Sequence, residues 1–135
     1  MASGSTPQAK RLFFLRYWRP LVGYLGLIFS LGARPHLAPP LPFRNGDKVC
    51  HLAEYSGPAL LLVAPLRAAR PRQAAALSSL ASVAAGLVIG AADENFQRLV
   101  PGRTCDLHDG YADGAGVVLS QCAGLLWARA RGRPA

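Results

Sequence analysis

The run QAAALSSLASVAAGLVIGAA, residues 73–92, carries no charge, and DENFQRLVPGRTCDLHDGYADG, residues 93–114, follows it with five of the chain's seven acids. A helix of about 20 apolar residues crosses a bilayer core, and the first run has that length. A helix buried in a soluble core keeps a polar stripe toward water. Beyond the terminal Gln73, this run offers only serines. An apolar span followed by a dense polar segment therefore sets the reading of the whole chain.

Three further stretches are nearly free of charge: Leu21–Ala33, Val49–Leu66 and Gly114–Ala128. The first is short unless it extends back through Phe13, with Arg16 and Arg19 snorkelling to the interface. A chain of 135 residues is long enough for one soluble core. A soluble Ala/Leu-rich helical bundle is thus the competing architecture, and the placement of charge argues against it.

Ten cations flank the apolar runs on one side: Lys10, Arg11, Arg16 and Arg19, then Arg67, Arg70 and Arg72, then Arg129, Arg131 and Arg133. The other side holds Arg34, Arg44, Lys48, Arg98 and Arg103 with all seven acids, so the balance is +10 against 5 − 7 = −2. Their sum is the formal net charge of +8. Segregation of this kind follows the rule that Lys and Arg flanking membrane spans stay in the cytoplasm. It also removes nucleic acid as the partner for the positive charge. The expected fold is all-α: a polytopic bundle of four transmembrane helices with both termini cytoplasmic, multi-pass in the cytoplasmic (inner) membrane. Residues 1–12 read as a disordered basic tail, 13–130 as the membrane domain and 131–135 as a short cytoplasmic tail. A cleaved signal peptide is the other reading of the first span, but a cleavage point near Gly32 or Ala33, just before Arg34-Pro35, fits it poorly.

Small residues recur every four positions at Ser78, Ser82, Gly86 and Gly90, and again at Gly116, Ser120 and Gly124. Such faces let helix backbones approach closely in lipid. They predict that spans three and four pack on each other, with a homodimer through one face as the alternative. Span three should be the most enclosed helix. The Pro-rich loop with Pro35, Pro39, Pro40 and Pro42 should be extended, and Pro101-Gly102 should turn Arg103 back toward the bundle.

The polar residues converge on the outer helix ends. Asp47, His51 and Glu54 are spaced to share one helical face. Pro58 removes the amide that would bond the Glu54 carbonyl, so a free acceptor is expected there. Glu54 itself pairs with Lys48 or a loop arginine in the simplest reading; otherwise it belongs to a functional site. Glu94 and Gln97 end span three. Arg103 precedes Asp106, Asp109 and Asp113, and Asp109 and Asp113 suit the capping of span four. The candidate polar site is Asp47, Lys48, His51, Glu54, Glu94, Gln97, Arg103, Asp109 and Asp113. His51 and His108 stand among carboxylates without a recognised ligand spacing, so neither a metal nor another cofactor is expected. Cys50 and Cys105 could form a disulfide in an oxidising compartment; lone thiols are the simpler reading. No phosphate loop, nucleophile elbow or HExxH occurs.

The run DENFQRLVPGR followed by DLHDGYADGAG, together with DKVCHLAEY, resembles the signature of the VanZ-like family. The matching positions are Asp47, Lys48, His51, Tyr55, Glu94, Gln97, Pro101, Arg103, Asp109 and Gly116, within residues 47–127. The family's asparagine is Asp113 here. The resemblance implies a four-span membrane protein associated with low-level resistance to the glycopeptide teicoplanin, and it supplies no reaction. Three functions compete. The first is an envelope-associated accessory protein that binds an envelope lipid or a partner membrane protein. The second is a small membrane enzyme acting on a lipid-linked or phosphorylated substrate. The third is a structural membrane subunit.

Overall fold

The computed structural model describes residues 6–35, 41–70, 75–103 and 106–132, and every regular element among them is helical. Helix α1 (Pro7–Phe13), a π-helical turn (Phe14–Trp18) and α2 (Arg19–Gly32) follow one another without a break. Helices α3 (Gly46–Ala69), α4 (Ala75–Gln97) and α5 (Leu107–Ala130) complete the chain. The helix starts earlier than the expected boundary at Phe13. Thr6 caps it by accepting from the Ala9 amide at 3.3 Å, and Pro7 stands in its first turn, so residues 7–12 are helical rather than a disordered tail. The π turn immediately precedes Arg19-Pro20. Pro20 has no amide for the Arg16 carbonyl, and the turn widens there, with the Arg19 amide reaching back to Phe14.

Two helices, α3 and α4, are long and apolar enough to cross a membrane. Both leave most of their apolar stretch on the outside: only 28% and 33% of it is buried. The packing is inverted relative to a water-soluble core. Ser78, Ser82, Asp93, Gln97, Asp113 and Gln121 are buried, while Leu77, Leu80, Leu87, Val88, Leu119 and Leu126 are exposed. An apolar surface around a polar interior is how helices pack in a lipid solvent.

Helix α3 is the hub. It touches the π turn, α2, α4 and α5, and packs most extensively on α5. This corrects the expected pairing of small-residue faces in one respect. Gly86 on α4 does face Val117 on α5, and Ser78, Ser82, Gly86 and Gly90 are all buried. Gly116, however, lies on α3, where an added Cβ would overlap the carbonyl of Leu52, and Gly124 is exposed. The core is small: Ile28, Tyr55, Ala59 and Val117, flanked by Tyr24, Phe29, Val83 and Ile89.

Polar side chains fasten the helices through backbone carbonyls. Pro58 leaves the Glu54 carbonyl without its helical donor, and the Tyr24 hydroxyl donates to that oxygen at 3.1 Å. Gly57 permits this approach, because a Cβ there would strike the Tyr24 ring. Gln121 of α5 donates to the Ala59 carbonyl at 2.6 Å, and Ser82 of α4 donates to the same oxygen. The expected outcome for Gly116→Ala is a loss of about 1–3 kcal/mol, since overpacking against a backbone cannot be relieved by a rotamer change. Reversible unfolding of the detergent-solubilised chain measures it; wild-type stability in the variant would mean that α5 can back away from Leu52 freely.

Candidate functional site

Among the acids, those at the start of α5 meet the start of α3. Asn45 takes a left-handed conformation, φ 64°, and turns the chain into α3. One turn later Lys48 donates to Asp47 at 2.8 Å, to Asp106 at 3.0 Å and to Asp109. A single ammonium thus ties α3 to the segment that opens α5. The simplest reading of Glu54 is thereby corrected: Lys48 spends its three protons on aspartates, and among the described residues Glu54 joins no ion pair. Glu54 is half-buried and lies within range of the charges of His51, Asp93, Asp113 and Arg103.

Asp106, not Asp109 or Asp113, is the N-cap of α5. Its carboxylate accepts from the His108 amide at 2.9 Å and engages the His108 ring at 2.8 Å. Asp109 and Asp113 lie within α5 and face His51. Nδ1 of His51 sits 2.9 Å from Asp113 Oδ1, and Nε2 lies 3.8 Å from Asp109 Oδ2. Asp113 therefore has a specific partner. Oδ2 of Asp113 is buried with no hydrogen-bond partner among the described residues. Glu94, 8% exposed, ends α4 beside them; His51, Glu94 and Asp109 each present a possible ligand atom within 4.8 Å of the others.

A second network runs across the ends of α3 and α4. The Tyr55 hydroxyl donates to Asp93 at 2.8 Å, Gln97 donates to the same Asp93 oxygen at 2.8 Å, and Arg103 donates to Gln97 Oε1 at 2.8 Å. Asp93 is 1% exposed. The turn that returns Arg103 has the anticipated form: Gly102 takes φ 80°, and the Arg103 amide bonds the Val100 carbonyl at 3.2 Å. The guanidinium Nε is buried without a partner among the described residues.

The structure thus gathers all nine candidate residues at one end of the helices. It adds three that the candidate site omitted. Asp106 and Asp93 are acids bordering the chosen ones; Asp93 stands one turn before Gln97, a spacing at which the two side chains meet on a helix. Tyr55 is the buried donor to Asp93. A Cys50–Cys105 disulfide falls partly outside the described residues, as Cys105 is not among them. No family model matches the chain, and neither a curated protein nor a solved structure matches it.

The bonds from His108, then that from Lys48, hold the Asp106 carboxyl far below the ordinary carboxylate value of 3.8. A depressed folded-state pKa gives stability that is fully present above the unfolded-state value and fades as pH falls through the folded-state one. The destabilisation caused by Asp106→Ala should therefore be constant from neutral pH down to about pH 4 and shrink only in stronger acid. Unfolding midpoints of both proteins across pH 7 to 2.5 check this; a difference that vanishes above pH 5 would assign the cap no special ionisation.

Proposed function

We propose that the chain is a four-span VanZ-like protein of the bacterial inner membrane, both termini cytoplasmic, which binds an anionic envelope lipid at its outward end. In doing so it modulates susceptibility to teicoplanin. The observation that carries the binding reading is Arg103, whose Nε has no partner among the described residues, at the polar end of helices whose sides expose leucine and valine. The cations segregated toward the opposite helix ends support the orientation. The two apolar helices support insertion. For the first stretch and α5 the argument is length and flanking charge: residues 7–32 are continuously helical, and α5 spans 24 residues. The glycopeptide association rests on the resemblance alone.

A lipid needs a seat for its head and another for its chains. Arg103 retains an unfilled donor suited to a phosphate or carboxylate oxygen. A shallow, largely open apolar depression lined by Leu87, Tyr111, Gly114, Val118 and Leu119 among others lies between α4 and α5. The enzyme reading draws on the His51–Asp113 pair next to Glu94, since a histidine oriented by a carboxylate is a competent general base. On the structural reading, the same bonds only lock the helix ends.

Arg103→Ala and Glu94→Gln separate the three. Accumulation of both variants in the membrane with lost influence on teicoplanin susceptibility is the outcome expected for a binding site. Native mass spectrometry of the wild type should show a retained anionic lipid that Arg103→Ala loses. Unchanged susceptibility in well-expressed variants would sink the binding reading. Lost effect in Glu94→Gln with lipid still bound would favour an enzyme. For topology, a cysteine at position 108 in a Cys-less background should react with an impermeant maleimide in intact cells; reaction only after permeabilisation reverses the orientation.

A further inference from the structure

We propose that His51, Glu94 and Asp109 form a binding site for one divalent transition-metal ion of the zinc type, with Asp113 orienting the histidine. The inference stands on geometry and is independent of the lipid reading.

Three unlike donors from three helices converge. His51 comes from α3, Glu94 from the end of α4 and Asp109 from the first turn of α5, and their ligand atoms lie within 4.8 Å of one another. Ligands on one ion at about 2.1 Å stand about 3.4 Å apart in a tetrahedral site. His51 Nε2 and Asp109 Oδ2, at 3.8 Å, lie close to that spacing. The ligand set as a whole lies within 4.8 Å, so closing it takes a movement of about 1–1.5 Å, which rotation of the long Glu94 side chain supplies.

The surroundings of His51 are those of a metal ligand. Metal-bound histidine gives its second ring nitrogen to a carboxylate, which fixes the tautomer and raises the basicity of the ligating nitrogen. Nδ1 of His51 does this with Asp113 Oδ1 at 2.9 Å. The proton on Nδ1 leaves the lone pair on Nε2, the nitrogen facing Asp109. Asp109 divides its oxygens in the same sense: Oδ1 takes Lys48, and Oδ2 turns to His51.

An independent observation is Asp113 itself. Its side chain is 4% exposed, and its Oδ2 is buried with no partner among the described residues. An anion so placed, against the ring that would carry the ion, gains from positive charge at that point.

One imidazole with two carboxylates selects among ions. Imidazole suits zinc and its first-row neighbours, while calcium and magnesium prefer all-oxygen shells. Three protein ligands leave a position for water or a substrate oxygen.

The test uses the full chain in detergent, stripped with chelator and reloaded with Zn²⁺. Expected after desalting is about one retained zinc per chain, unaffected by excess Mg²⁺ or Ca²⁺. His51→Gln with Glu94→Gln should retain none. Asp113→Asn should bind about 10–100-fold more weakly, as loss of a supporting carboxylate does. Zinc-edge X-ray absorption of the loaded wild type, which needs no variant to fold, should show a single imidazole in an oxygen-rich shell. Wild-type protein that retains no zinc overturns the proposal. So does a shell containing sulfur or lacking imidazole, or equal retention by wild type and a folded double variant.

Discussion

Position 116 has no side chain, and α5 can lie on α3 only because of that. At Gly116 the two backbones meet so closely that a methyl group would fall on the Leu52 carbonyl. The approach sets where the next turns of α5 stand. Asp113 is one turn from Gly116 and reaches His51; Asp109 is a further turn away and reaches Lys48 and His51. The α5 cap at Asp106 then falls within range of the same ammonium. A close helix crossing at one glycine thus places three aspartates of the polar end against α3.

The site is costly by itself. Carboxylates inside an apolar bundle lose hydration, and each needs donors or a cation to offset that loss. The chain meets the requirement unevenly. Asp106 and Asp47 take Lys48 while still partly in solvent, whereas Asp93, with Tyr55 and Gln97 both on Oδ2, and Asp113, with His51 on Oδ1, each keep one buried oxygen without a partner among the described residues.

Much of this was legible in the sequence, for identifiable reasons. The uncharged run ending at Ala92 and the four-residue spacing of Ser78, Ser82, Gly86 and Gly90 depend only on helical period, and those residues are buried in α4. Pro58 announced a carbonyl without a donor, since proline chemistry is local. That Tyr24 fills it was not legible, because the partner comes from thirty residues away. The same limit explains Glu54 and Lys48. Their proximity in sequence suggested a pair, but Lys48 turns to acids some sixty residues on, which only the α3–α5 crossing brings near. Asp106 and Asp109 were distinguishable as cap and first-turn residue only once the helix start was fixed. Asp93 gave a signal at its spacing from Gln97, but nothing in the local sequence marks it as more buried than its neighbours.

The carbonyl of Ala59 accepts from both Ser82 and Gln121. One oxygen on α3 is therefore the common reference for two other helices. A slip of either by one residue moves its donor about 1.5 Å along the axis and turns it away by about 100°, which ends that bond. A shift of either helix leaves a buried donor without its acceptor. The two bonds thereby set the register of α4 and α5 on α3 beneath the polar end. Whatever the polar end holds, it meets donors whose mutual spacing was settled two turns further down.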